Sequence, residues 1–293
     1  MDRREFLIGT GAALAFGAAV GSSSSGEPTS GAAAAEQLQK GLLLWMMPDS
    51  LSIEDKFKLA SDIGIDGFEV RPTTDAAEIK ALRAASEKTG VKVHSIMFGG
   101  WQPRLSTADP VGAQQCANAL KEALQSAKEL GADGVLLVPA VVDADTRYID
   151  AYKRSQERLK PIIPVAEKLG VRILIENVWN NFLLSPLEFA RYIDELDSPY
   201  LQAYFDVGNV VAFGWPQDWI RTLGHRIKKV HLKDFKKGPR EWVNILDGDV
   251  NWPEVRKALH EVGYTGFLTC ELAGGDEAYL RDLVKRMDKI IAM

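Results

Sequence analysis

Gly170-Val171-Arg172-Ile173-Leu174-Ile175-Glu176-Asn177 holds the phrase from which the fold is read. A glycine able to end a helix in the left-handed conformation is followed by a short, unbroken apolar run, and a carboxylate stands where the run stops. Apolar runs without alternation belong to strands covered on both faces, as parallel strands are. The same phrase recurs along the chain, predicting strands at Gly41–Met47, Gly67–Arg71, Lys92–Phe98, Gly134–Pro139, Arg172–Asn177, Leu201–Asp206, Lys228–Leu232 and Gly266–Glu271. Amphipathic stretches between them end at Gly64, Gly90, Gly131, Gly170 and Gly263, residues that accept a left-handed C-cap. Ser185-Pro186-Leu187-Glu188 spells an N-cap, a first-turn proline and a capping-box glutamate, and Asn251 with Glu254 repeats it. Eight strands alternating with helices over about 255 residues make a (β/α)8 TIM barrel. A doubly wound open sheet is the alternative, and the glycine-rich phosphate loop that often marks one is missing.

Four of these strands end on side chains that bind metals: Glu176, Asp206, His231 and Glu271. Strand tips of a parallel barrel converge on one face. Because side chains alternate, residues two apart share a face, so Glu176 aligns with Leu174, Asp206 with Tyr204, His231 with Lys233 and Glu271 with Thr269. Three carboxylates and one imidazole form a hard, oxygen-rich donor set. It suits one divalent ion, Mn2+ foremost, with Mg2+, Co2+ and Zn2+ compatible.

The 293 residues, 46% apolar and 26% charged, support a large core, and a net charge of −5 argues against a nucleic-acid partner. Cys116 and Cys270, the two cysteines, have no disulfide or thiolate-metal spacing and read as small buried residues. Residues 1–37 are expected to be a signal and linker, leaving a catalytic domain over 38–293. Arg3-Arg4 precedes an Ala/Gly-rich apolar stretch from Phe6 to Val20, too short and glycine-rich for a comfortable membrane span, and a Ser/Gly/Pro/Ala-rich linker follows. This looks like a twin-arginine signal and implies export to the periplasm or cell envelope. No other segment is apolar enough to cross a membrane, and nothing in the pattern decides for or against a homo-oligomer.

Ile175-Glu176-Asn177, Phe205-Asp206-Val207-Gly208-Asn209, Val230-His231-Leu232-Lys233-Asp234 and Cys270-Glu271-Leu272 together resemble the xylose-isomerase-like TIM-barrel superfamily of sugar and sugar-phosphate isomerases and epimerases. The resemblance runs from Gly41 to the C-terminus. It implies that Glu176, Asp206, His231 and Glu271 hold one divalent ion and that Glu176 and Glu271 act as acid and base on the substrate. Two positions depart from the ketose 3-epimerases of that group. Asn209 stands where a histidine is common, and Lys237 where an arginine is common, which bears on the substrate contacts.

The chemistry expected is epimerisation or isomerisation of a ketose or ketose phosphate through an enediolate, with a small carbohydrate as the partner. The alternative is a 3-keto-glycoside lyase or hydratase, in which the same proton abstraction ends in β-elimination. Barrel endonucleases share the topology, but they need a histidine-rich metal cluster and a basic surface, and this acidic chain has four histidines. Lys233 could place positive charge beside an oxyanion or merely neutralise an acidic mouth. Trp45, Trp101, Trp179 and Trp215 fall in loops after strands, and Trp101 and Trp179 are the ones expected to stack on a sugar. Asn209 and Glu69 are further candidate substrate contacts, with pairing to Arg71 the other reading for Glu69. His94 is expected below the site, His225 and His260 in solvent. Lys236, Lys237 and Arg240 could hold a phosphate or form a surface basic cluster.

Overall fold

The structure, a computed structural model, describes residues 38–293. The signal and linker expected over residues 1–37 lie outside the described residues. The strands in chain order are β1 Gln39–Leu43, β2 Gly67–Val70, β3 Lys92–Gly99, β4 Gly134–Leu137, β5 Arg172–Glu176, β6 Leu201–Asp206, β7 Ile227–Leu232, β8 Asp234–Lys236, β9 Glu241–Val243 and β10 Phe267–Cys270. Eight of them close a parallel barrel in the order β1-β10-β7-β6-β5-β4-β3-β2, and β8 and β9 pair separately. Closure removes the open-sheet alternative.

Helices between the strands cover the outside of the barrel, which is why the strands could be apolar on both faces. Gly64, Gly90, Gly131 and Gly170 cap helices with φ of 84°, 77°, 79° and 70°, the left-handed region that glycine enters without steric cost. Ser185 accepts a hydrogen bond from Glu188 N at 3.2 Å, as its motif predicts. The glutamate does not complete the box, because Tyr148 OH claims its carboxylate. Phe57 and Phe68, both wholly buried, meet edge-on at 4.9 Å between ring centres and pin the first helix, Ile53–Ile63, to β2. Removing either ring costs on the order of 3–5 kcal/mol in such a core.

Two strands end two or more residues earlier than expected. β1 stops at Leu43 and the chain turns through a 3-10 segment at Leu44–Met46, so Trp45 leaves the sheet for the barrel mouth. β4 stops at Leu137, ahead of Pro139, which has no N–H to continue a ladder. Inside the barrel, Leu136, Leu174 and Tyr204 form a small apolar layer with Met97 against it. Lower still lies His94, whose ring stacks on Phe267 at 3.9 Å. His94 Nε2 is 3.2 Å from Thr269 Oγ1 and its Nδ1 is 3.4 Å from Lys229 Nζ. Burial, reinforced by the Lys229 charge, holds the His94 imidazole well below its ordinary pKa. It is a neutral core histidine beneath the site, while His225 and His260 are exposed. Cys116 and Cys270 are free and buried, and burial raises the Cys116 thiol to about 11. No helix among the described residues is long and apolar enough to cross a membrane.

Candidate active site

Glu176 and Asp206 close their strands, His231 is the next-to-last residue of β7, and Glu271 follows β10 directly. Parallel register places Asp206 opposite His231, and one ligand atom from each of the four residues lies within 4.8 Å of all the others. His231 Nδ1 is 3.0 Å from Glu176 Oε1, 3.0 Å from Glu271 Oε2 and 3.9 Å from Asp206 Oδ2.

Local hydrogen bonds hold this geometry. Asn177 clamps the ends of β5 and β6, donating from Nδ2 to Asp206 O at 2.8 Å and accepting from Asp206 N at 2.9 Å. Asp206 caps the short helix Val207–Val211, with Oδ1 accepting from Asn209 N at 2.8 Å. One carboxylate oxygen is thereby fixed to the backbone, and Oδ2 is left facing the cluster. The other face of His231 is held from below, where Nε2 stands 2.7 Å from Glu69 Oε2. Ser95 Oγ donates to Glu69 Oε1 at 2.7 Å, and Tyr204 OH lies 3.4 Å from Oε2.

Glu69 therefore departs from both of its expected roles. It is wholly buried under His231 and does not line the cavity; Arg71, its expected partner, lies over the Trp45 ring at 5.0 Å. The spacing of Glu69 on β2 was visible in the sequence, but its inward depth depends on the stagger of the closed barrel.

Lys233 lies just past β7, with Nζ 3.2 Å from Asp206 Oδ2 and 2.8 Å from Glu271 Oε2. Neither oxygen receives a well-directed hydrogen bond, although both are buried. The carboxylates of Glu69, Glu176, Asp206 and Glu271 thus face at most two cationic groups, His231 and Lys233. The titration of the site follows from this crowding. Burial raises Glu176 to about 7, with the Glu271 charge adding to it and the hydrogen bond to His231 opposing. Burial also raises Asp206, against the pull of Lys233. Burial acts on Glu271 in the same direction, but the charge of His231, 3.0 Å from its Oε2, outweighs it and holds that carboxyl down at about 2. For His231, burial opposes the charged form, and the charges of Glu69 and Glu271 overcome it and raise the imidazole well above its ordinary value.

The donor set fits a divalent cation. Bonds of ~2.0–2.6 Å around one ion place its ligand atoms within ~5 Å of each other, the separation found here. The two under-satisfied oxygens and the excess of carboxylates are what such an ion would neutralise.

Above the cluster opens a cavity of about 620 Å³, within the range of ordinary small-molecule sites. Trp101 and Trp179 line it, and so do Trp45, Asn209 and Lys233. Asn209 borders the space with its amide already donating to Asn177 O at 2.9 Å, and its backbone oxygen accepts from Trp179 Nε1 at 2.9 Å. Trp215 is not among the lining residues and is 62% exposed, with Lys237 Nζ 4.1 Å over its ring. Arg240 lies over Trp179 at 5.9 Å.

Trp242 also lines the cavity and was not singled out by the sequence reading. It sits on β9, where the β8–β9 hairpin folds back so that Trp242, Trp179 and Phe235 form an aromatic cluster, with ring centres 5.0–5.3 Å apart. The signal was two three-residue runs, Asp234-Phe235-Lys236 and Glu241-Trp242-Val243, on either side of Gly238-Pro239, a turn dipeptide.

The description "Xylose isomerase-like TIM barrel" matches residues 57–290. The chain belongs to this family. It is 27% identical to a putative L-ribulose-5-phosphate 3-epimerase of Shigella dysenteriae serotype 1 over 278 residues, covering 87% of this chain and 96% of that protein. Among solved structures, it is similar to a D-tagatose 3-epimerase-like protein (TM-score 0.74, 21% identity, 86% of this chain and 96% of the other). It is also similar to the apo form of a 3-keto-D-glucoside 4-epimerase from E. coli (TM-score 0.75, 16% identity, 88% of this chain and 100% of the other). At those identities the structural likeness shows the fold.

Proposed function

We propose that the protein is a divalent-metal-dependent sugar epimerase or isomerase that moves a proton at the carbon next to a carbonyl. The observation that carries this reading is the meeting of Glu176 and Glu271 at one buried cluster with Asp206 and His231, under an aromatic cavity. The epimerase relative matched over nearly its whole length supports it.

Glu176, Asp206, His231 and Glu271 would hold the ion, Mn2+ foremost. When bound, the ion supplies positive charge that makes the neighbouring C–H acidic and steadies the enediolate. The remaining work belongs to side chains. Trp101 and Trp179 offer ring faces for the apolar side of a sugar and exclude water from it. One glutamate takes the proton from a carbon that flattens as the enediolate forms, and the other returns a proton to the opposite face of that carbon, giving the epimer. Alternatively, a proton is returned to the adjacent carbon while the hydroxyl proton passes between the two oxygens, giving the isomer. Lys233, kept cationic by Asp206 and Glu271, adds positive charge where the oxyanion develops.

β-Elimination from a 3-keto-glycoside begins with the same abstraction but ends in loss of a leaving group. The relatives reported above carry epimerase or epimerase-like names, and they do not favour elimination. Export is part of the proposal and rests on Arg3-Arg4 and the apolar stretch after it; replacing both arginines by lysine should keep the protein in the cytoplasm. The functional test is NMR of the Mn2+-loaded protein with free ketoses, ketose phosphates and keto-glycosides in D2O. The proposal expects an epimer or isomer carrying solvent deuterium. An unsaturated product, or no reaction with any of the three classes, counts against it.

A further inference from the structure

Trp45, Lys233, Trp242 and Glu271 line both the cavity over the carboxylates and a second, adjoining lobe of about 510 Å³. Asn244, Leu272, Ala273 and Tyr279 help to line that lobe and take no part in the first.

We propose that this second lobe is a subsite for an uncharged sugar ring, so that the substrate is a keto-glycoside of at least two rings. The oxidised ring lies over Glu176 and Glu271, and its glycosidic neighbour occupies the second lobe beside Trp45 and Trp242. The proposal rests on the epimerase reading and deepens it by naming the substrate class.

Three observations carry it. First, the lobe begins at Glu271 itself, so a group placed there is covalently within reach of the reacting ring. A single-ring ketose would occupy the first lobe and leave the second to water. Second, its lining pairs aromatic side chains, Trp45, Trp242 and Tyr279, with polar groups, the combination that recognises carbohydrate rings. No hydrogen bond from Tyr279 OH or the Asn244 side-chain NH2 is found among the described residues, and Asn244 Oδ1 accepts only from its neighbour Ile245 N at 2.9 Å.

Third, the lobe has no cation to spare for a phosphate. Lys233 is its one basic lining residue, and its Nζ is engaged by Glu271 at 2.8 Å and Asp206 at 3.2 Å. The basic cluster at the end of β8 does not serve either lobe. Lys236, Lys237 and Arg240 are absent from both linings, and Lys237 and Arg240 lie against Trp215 and Trp179.

The test compares a disaccharide oxidised to the 3-ketone on one ring with the methyl glycoside of that same keto ring. Solvent-deuterium uptake next to the ketone is followed by mass spectrometry, using the Mn2+-loaded full chain. Contacts to a remote ring raise kcat/KM when they are used in the transition state, so the disaccharide is expected to exceed the methyl glycoside by about tenfold or more. In Ala273→Trp, where an indole at an exposed lining position takes up part of the lobe, that ratio should collapse towards unity. A ratio near unity in the unaltered protein, a ratio unmoved by Ala273→Trp, or preference for ribulose 5-phosphate overturns the subsite and leaves the epimerase reading standing. Exchange with none of these sugars overturns the epimerase reading instead. Calorimetric binding of cellobiose then decides the subsite separately: binding lost in Ala273→Trp supports it, and no binding, or binding unchanged in the variant, ends it.

Discussion

Glu69 Oε2 stands 2.7 Å from His231 Nε2, and both side chains are wholly buried. A carboxylate at that nitrogen keeps the proton on Nε2, turns the ring edge-on to the cluster and presents Nδ1 to Glu176, Asp206 and Glu271. Such partners hold a metal-binding histidine in one tautomer and increase its basicity. Glu69→Gln should keep the fold by circular dichroism but weaken Mn2+ binding by about 10-fold or more. An unchanged affinity in a calorimetric titration would show that the contact merely fills space.

Saturating the protein with Mn2+ should raise its melting temperature, because only the folded chain gathers the four donors. At a free ion concentration 100 times Kd the gain is ~2.7 kcal/mol, or roughly 5–10 °C for a domain of this size. A chelator should reverse the shift, and Asp206→Asn should remove it. If calorimetric scans with and without chelator superimpose, the cluster holds no stabilising ion.

Gly208 is required by a close approach. A Cβ there would lie 2.4 Å from Lys233 Cβ and 2.9 Å from the Lys233 carbonyl carbon. Gly208→Ala must displace Lys233 from Asp206 and Glu271, so it should cost ~1–3 kcal/mol and lower activity together. A urea midpoint equal to that of the unaltered chain would contradict this.

Asp234 ties the β8–β9 hairpin to the chain that follows it. Its carboxylate accepts from Phe235 N at 2.9 Å, Leu246 N at 3.0 Å, Val250 N at 3.1 Å and Trp252 Nε1 at 2.9 Å. Asp234→Ala leaves several of these donors without an acceptor, at ~1–3 kcal/mol for each that stays buried. The expected result is a clear loss of stability, with a raised KM as Trp242 loses its support. A variant within ~0.5 kcal/mol of the original would show that water replaces the carboxylate.

The barrel was legible because its phrase repeats. Apolar runs such as Ile173-Leu174-Ile175, most of them preceded by a helix-ending glycine, specify parallel strands by local chemistry alone. The four cluster residues were legible for the same reason, since a strand tip in a closed parallel barrel has one place to go. Depth and loop geometry were harder to read. Glu69 looked like a mouth residue because the sequence carries no measure of barrel stagger, and its partner His231 is 162 positions away. Trp242 was missed because a three-residue strand gives too short an alternation to stand out. Trp215 and Trp179 both follow strands in the sequence, where Trp179 is the one favoured, and the packing of Lys237 and Asn209 shows one as a surface ring and the other at the cavity.

The central claim is that Glu176, Asp206, His231 and Glu271 together grip a single cation. Titrating the chelator-stripped full chain with Mn2+, with free ion read by electron paramagnetic resonance, tests it most directly. The account predicts saturation at one ion per chain, with that binding abolished in Asp206→Ala and His231→Ala. Failure of the unaltered chain to take up Mn2+, or equal uptake by the two variants, would contradict it.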